Sequence, residues 1–70
     1  MSENPTFNNL TPRERECLYW SAQGKSIDEV AIILNIRQCT VRNYLHQVKT
    51  KFNCFKITKA IYQATKLGLI

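Results

Sequence analysis

Between Arg37 and Phe52 the apolar residues Val41, Leu45, Val48 and Phe52 recur at helical spacing. Cys39, Arg42, Asn43, His46, Lys49 and Thr50 fall together on another face of the same helix. That second face is rich in hydrogen-bond donors and carries no acid. The pattern predicts a helix over residues 37–52 with one side toward a core and one side left for a partner.

The remainder of the chain reads as shorter helices around it. Thr11-Pro12-Arg13-Glu14 is a helix start: Thr11 caps, Pro12 suits the first helical position, and Glu14 completes a capping box. This helix runs to about Gln23 with Cys17, Leu18 and Ala22 inward, Leu10 ahead of it and Gly24 at its end. Ser26-Ile27-Asp28-Glu29 repeats the capping grammar and opens a second helix, whose inward stripe is Ile27, Val30, Ala31 and Leu34. Asn35 stands where a left-handed turn residue is wanted, and Ile36 returns to the core. Asn53 is a further stop. A last helix is expected over residues 58–66, with Ile57, Ala60, Ile61, Ala64 and Leu67 as its stripe and Gly68 as its breaker. No segment alternates with period two, so no sheet is expected. The fold class is all-α: a small four-helix domain over residues 10–70, preceded by a flexible arm over residues 1–9. The second and third helices and their tight turn form a helix-turn-helix.

Charge sharpens the picture. The net charge of +5 is unevenly spread: residues 1–36 carry three basic against five acidic side chains, and residues 37–70 carry seven basic and none acidic. A half so polarised suits a polyanion. No apolar run has membrane-spanning length and the first residues lack the apolar centre of a signal peptide, so a cytoplasmic protein without membrane partners is expected. Three widely spaced cysteines, a single histidine and no CxxC argue against a metal site and for three reduced, partly buried thiols. The acids sit at helix starts, where capping accounts for them. No nucleophile–base or paired-carboxylate constellation is present, so neither an enzyme nor a cofactor is expected.

Double-stranded DNA fits the acid-free face best. Arg42 suits a bidentate contact to guanine and Asn43 to adenine, with His46 one turn further on as a third reader. Lys25 and Ser26, at the start of the second helix, suit a phosphate, and Lys49 and Lys51 extend the basic surface. Thr58, Tyr62 and Thr65 lie beside the core stripe of the last helix. Tyr62 is a good interface residue, so this face is the expected dimer contact.

The residues Leu10-Thr11-Pro12-Arg13-Glu14-Arg15-Glu16, Ala22-Gln23-Gly24-Lys25-Ser26, Glu29-Val30-Ala31, Thr40-Val41-Arg42-Asn43 and Leu67-Gly68-Leu69-Ile70 resemble the LuxR/FixJ-type helix-turn-helix domain. Trp20 and the Gln23–Ser26 run resemble its quorum-sensing branch. The resemblance implies a transcriptional regulator whose third helix enters the major groove, whose fourth often dimerises and whose N-terminal sensor precedes the domain. Nine residues ahead of the motif leave no room for such a sensor, so a free-standing regulator or an excised domain is expected. The resemblance also makes Thr40 a phosphate contact. Tyr44 stands where His is common in the family and keeps a hydroxyl for a phosphate. Arg37 replaces a capping Ser or Thr, Asn53 a frequent Gly, and Lys56 a polar cap. Two functions follow: a dimeric regulator reading a palindromic site, or an interaction module that pairs with a full-length LuxR-type regulator.

Overall fold

The computed structural model describes residues 10–70, so the arm expected over residues 1–9 lies outside the described residues. Four helices occur among the described residues: α1 (Pro12–Ala22), α2 (Ile27–Leu34), α3 (Gln38–Lys51) and α4 (Ile57–Lys66). None of the described residues forms a strand, which fits the all-α class read from the sequence. No helix among them is long and apolar enough to cross a membrane.

The helix starts divide into two kinds. Thr11 accepts from the Glu14 amide at 3.2 Å, and the Glu14 carboxylate accepts from the Thr11 amide at 3.0 Å. Ser26 and Glu29 repeat this at 3.2 and 2.9 Å. Each pair satisfies donors that would otherwise be orphaned at a helix end. Donation from the Ser26 amide, helped by Lys25, holds the Glu29 carboxyl below its ordinary 4.5. By contrast α3 starts at Arg37 and α4 at Lys56, and neither residue makes a side-chain cap bond.

All four helix ends share one solution. At α2, the Ile36 amide donates to the Ala31 carbonyl at 3.0 Å and the Asn35 amide to that of Ile32 at 3.2 Å. The same pair of bonds closes α1 through Gly24, α3 through Asn53 and α4 through Gly68. The pivot residue is left-handed each time, with φ of 57° at Asn35, 56° at Asn53, 90° at Gly24 and 74° at Gly68. After the pivots at Asn35, Asn53 and Gly68, the next residue (Ile36, Cys54, Leu69) packs against the core. The turns therefore aim the chain back inward as well as ending the helices.

The interior has two clusters, and α3 belongs to both. Val41 and Leu45 join Cys17, Val30 and Ala31 in one. Val48 and Phe52 join Leu10, Leu18, Ala60 and Ala64 in the other. Burying four such side chains from one helix contributes about 1.5–3 kcal/mol each. Two expected core positions are instead exposed: Ala22, in the last turn of α1, and Leu67, 49% exposed where α4 ends. Both sit at the end of their helix. Ile27, Leu34, Ile57 and Ile61 are half-buried at the core margin. The thiols divide as Cys17 buried, Cys54 half-buried and Cys39 exposed, so the last departs from the partly buried expectation.

Glu14 is the one buried charged residue among those described, 5% exposed. Besides capping α1 it accepts from the Lys51 ammonium at 2.7 Å, tying the start of α1 to the end of α3. Glu14→Ala removes the carboxylate half of the capping box and leaves Lys51 without this carboxylate, and is expected to cost about 2–4 kcal/mol. Glu14→Gln, which keeps an acceptor for the cap, should cost about half as much in urea unfolding. A Glu14→Gln chain as stable as the wild type would show that the ion pair adds nothing, and losses equal to those of Glu14→Ala would show that the cap adds nothing.

Burial, with a smaller push from Glu16, raises the Cys17 thiol from 9.0 to about 11. The folded state therefore disfavours the thiolate, and the stabilisation present below the unfolded pKa is lost as pH climbs through the folded one. Urea midpoints of wild type and Cys17→Ala should converge between pH 9.0 and about 11. A constant difference across that window would contradict this assignment.

Candidate nucleic-acid interface

The outward face of α3 follows from its inward one. With Val41, Leu45, Val48 and Phe52 packed inside, Cys39, Arg42, Asn43, His46 and Thr50 are exposed and Lys49 is half-buried. Arg42, Asn43, His46 and Lys49 line one groove together with Ile27 at the start of α2 and Ile57 at the start of α4. The groove thus joins three elements: the outward face of α3 and the first turns of α2 and α4. Residues 37–70 contain no acid to oppose the Arg42 and Lys49 charges.

Thr50 bonds to its own helix, its hydroxyl donating to the His46 carbonyl at 3.1 Å. Ser26 accepts from Glu29 as a cap and keeps its hydroxyl proton for a further acceptor. It is exposed beside the equally exposed Lys25. Thr40 and Tyr44 are half-buried on the flank of α3, and Tyr44 packs against the Val41–Leu45 cluster.

Lys51 has a different setting from Lys49. Two residues further along, it lies roughly 200° around the helix. There it meets Glu14 at 2.7 Å, so its ammonium serves the junction with α1. The sequence grouped the two lysines by proximity along the chain, and helical rotation separates them.

On α4, Thr58, Tyr62 and Thr65 are all exposed, Tyr62 at 60%. The Lys66 ammonium lies 5.3 Å from the centre of the Tyr62 ring, a cation–π contact within one helix. Tyr62, Gln63, Lys66 and Leu67 line a shallow depression there.

The sequence reading missed Phe55. It lies in the turn between α3 and α4, is 97% exposed, and lines a hollow with His46, Lys49, Thr50, Asn53 and Cys54. Periodicity carries no signal for a residue between two helices. Among the described residues no group of three His, Cys, Asp or Glu side chains is arranged to hold a metal ion.

Comparison with known proteins gives this arrangement a family. Residues 8–64 match the model of bacterial regulatory proteins, luxR family. The HTH-type quorum sensing-dependent transcriptional regulator VjbR of Brucella ovis is 46% identical over 67 residues, 96% of this chain and 26% of the relative. RpaR of Rhodopseudomonas palustris, with the same descriptive title, is 44% identical over 63 residues, 90% of this chain and 26% of its own. The HTH-type quorum-sensing regulator RhlR of Pseudomonas aeruginosa is 46% identical over 61 residues, 87% of this chain and 25% of its own. The chain therefore spans about a quarter of the length of these relatives. With four helices in the expected order, a helix-turn-helix in α2 and α3, and a family match across most of its length, the chain belongs to the luxR family of bacterial regulatory proteins.

Proposed function

We propose that this chain is a sequence-specific DNA-binding module of a transcriptional regulator, with α3 as its reading helix in the major groove. The observation that carries this reading is the groove on α3, where Arg42, Asn43, His46 and Lys49 converge on an acid-free exposed face. Arg42 presents a forked donor for guanine, Asn43 a donor and an acceptor for adenine, and His46 a third polar contact one turn on. Lys49, Lys25, Ser26, Thr40 and Tyr44 contact phosphates and fix the register of α3. Lys51 contributes charge from the Glu14 junction rather than a direct phosphate contact. Similarity to VjbR and RpaR, which are quorum sensing-dependent transcriptional regulators, and to the quorum-sensing regulator RhlR supports the transcriptional part of the reading.

The same reading has the chain act as a homodimer through Thr58, Tyr62 and Thr65 of α4, on a palindrome with half-sites about one helical turn apart. The exposure of the Tyr62 ring favours α4 for this role. The same surface serves the second reading, an interaction module that pairs with a full-length LuxR-type regulator.

Binding-site selection with the 70-residue chain should recover a palindromic sequence. Arg42→Ala or Asn43→Ala should weaken binding to it by about 1–3 kcal/mol each and relax preference at one base position per half-site. Affinity for the selected duplex should fall by about three decades between 50 and 200 mM salt if the dimer neutralises roughly six phosphates. An affinity flat across that range would reject the DNA reading. If regulation survives both substitutions and Tyr62→Ala abolishes it, the interaction module is the correct one.

Arg37 gives a further test because it opens α3 without capping it. Arg37→Ser supplies the missing cap and should raise stability by about 1 kcal/mol, visible as a melting point about 4–8 °C higher. Arg37 also places a cation at the start of α3, which this reading assigns to a phosphate, so the same change should weaken DNA binding and reduce the salt slope by about one. An unchanged slope would place Arg37 away from the DNA.

A further inference from the structure

We propose that Phe55, together with Lys56, forms a second DNA-backbone anchor in the turn between α3 and α4, resting on the reading of α3 given above. A single exposed apolar side chain needs no explanation. Phe55 differs from that ordinary case in three respects.

First, its ring is held out by a rigid turn. The Cys54 amide donates to the Lys49 carbonyl and the Asn53 amide to that of Thr50, both at 3.0 Å. Cys54 packs against the Val48–Phe52 cluster, and its thiol reaches the Lys56 carbonyl at 3.5 Å. The chain on both sides of Phe55 is thus tied down, while Phe55 itself is 97% exposed.

Second, the surface it joins is concave and continuous with the reading face. His46 and Lys49 line both the groove that holds Arg42 and Asn43 and the hollow that holds Phe55. The two hollows therefore form one surface that a single duplex can span. Third, the hollow is basic. Lys49 lines it, the exposed Lys56 follows Phe55 directly, and no acid occurs anywhere from residue 37 to residue 70.

An apolar ring flanked by cations matches the deoxyribose-phosphate strand, whose sugars offer apolar faces between anionic phosphates. A base edge is a poorer match, since Phe55 has no donor or acceptor to read one. Phe55 therefore adds affinity without adding sequence preference, whereas Lys56 adds affinity that salt removes.

The test uses the full chain, the duplex recovered by binding-site selection and a scrambled duplex of equal length. Phe55→Ala should weaken binding to both duplexes by about tenfold with the salt slope unchanged. Lys56→Ala should weaken binding and make the slope shallower by about one. Phe55→Leu should retain most of the affinity. The 97% exposure of Phe55 means that its variants should melt with the wild type, and a circular-dichroism melt verifies this. Wild-type affinity in Phe55→Ala would overturn the proposal. So would a loss confined to the selected duplex, which would make the ring a base reader. A Phe55→Ala chain that dissociates in sedimentation, with its DNA deficit disappearing at high protein concentration, would assign the ring to a second copy of the chain. Failure of the α3 reading is recognised separately, by Arg42→Ala and Asn43→Ala chains that still prefer the selected duplex over the scrambled one.

Discussion

Complete burial of one face of α3 is the constraint on which the rest of the molecule depends. Val41 and Val48 are fully buried and Leu45 and Phe52 nearly so, across both interior clusters. In a domain this small little apolar surface can be removed from water, so nearly every other core residue is positioned to cover that one stripe. Cys17 and Leu18, adjacent on α1, point into different clusters and so brace α3 at two heights. Once the stripe is covered, the opposite face cannot turn inward. The exposure of Arg42, Asn43 and His46 is thus a result of packing, because rotating α3 to hide them would expose four core side chains.

The helix ends convert this packing into orientation. Every described helix closes through a left-handed pivot, and the residue after three of the four pivots re-enters the core. The Asn35 turn sets where α3 begins relative to α2, and the Asn53 turn sets where α4 begins relative to α3. Asparagine performs at residues 35 and 53 what glycine performs at 24 and 68, at a modest steric cost. The starts are less uniform. The acidic half of the chain closes its helix starts with its own side chains, and the basic half opens its two helices without a side-chain cap.

Much of this was legible in the sequence because it is local. The Thr11–Glu14 and Ser26–Glu29 capping boxes, the Asn35 turn and the inward stripe of α3 depend on residues three or four apart, and the periodicity gave each of them. The exposed positions of Arg42, Asn43 and His46 followed from the same rotation. What depends on distant partners was not legible. Glu14 looked fully explained as a cap, and nothing near it in the chain indicated that it meets Lys51. Lys51 in turn was grouped with Lys49 although the helix separates them. Ala22 and Leu67 fitted the apolar stripes, but whether a stripe continues to be covered at a helix end depends on how far the opposing element reaches. Phe55 belonged to no stripe at all.

The contact between Glu14 and Lys51 spans 37 residues, and this separation also bears on the order in which the domain assembles. Closing a loop of that length carries an entropic cost on the order of 3 kcal/mol before any contact offsets it. The first half of α3, through Val41 and Leu45, packs with Val30 and Ala31 of α2, a near neighbour in the chain, and with Cys17 of α1. Its second half packs with Ala60 and Ala64 of α4, likewise a near neighbour, and with Leu10 and Leu18 from the start of the described chain. The contacts of α3 with α2 and α4 are therefore local, and those with α1 are the ones that depend on long-range closure. The helix that carries the reading face is thus joined locally to both of its chain neighbours, and its attachment to α1, through Cys17, Leu18 and the Glu14–Lys51 pair, carries the largest closure cost among its contacts.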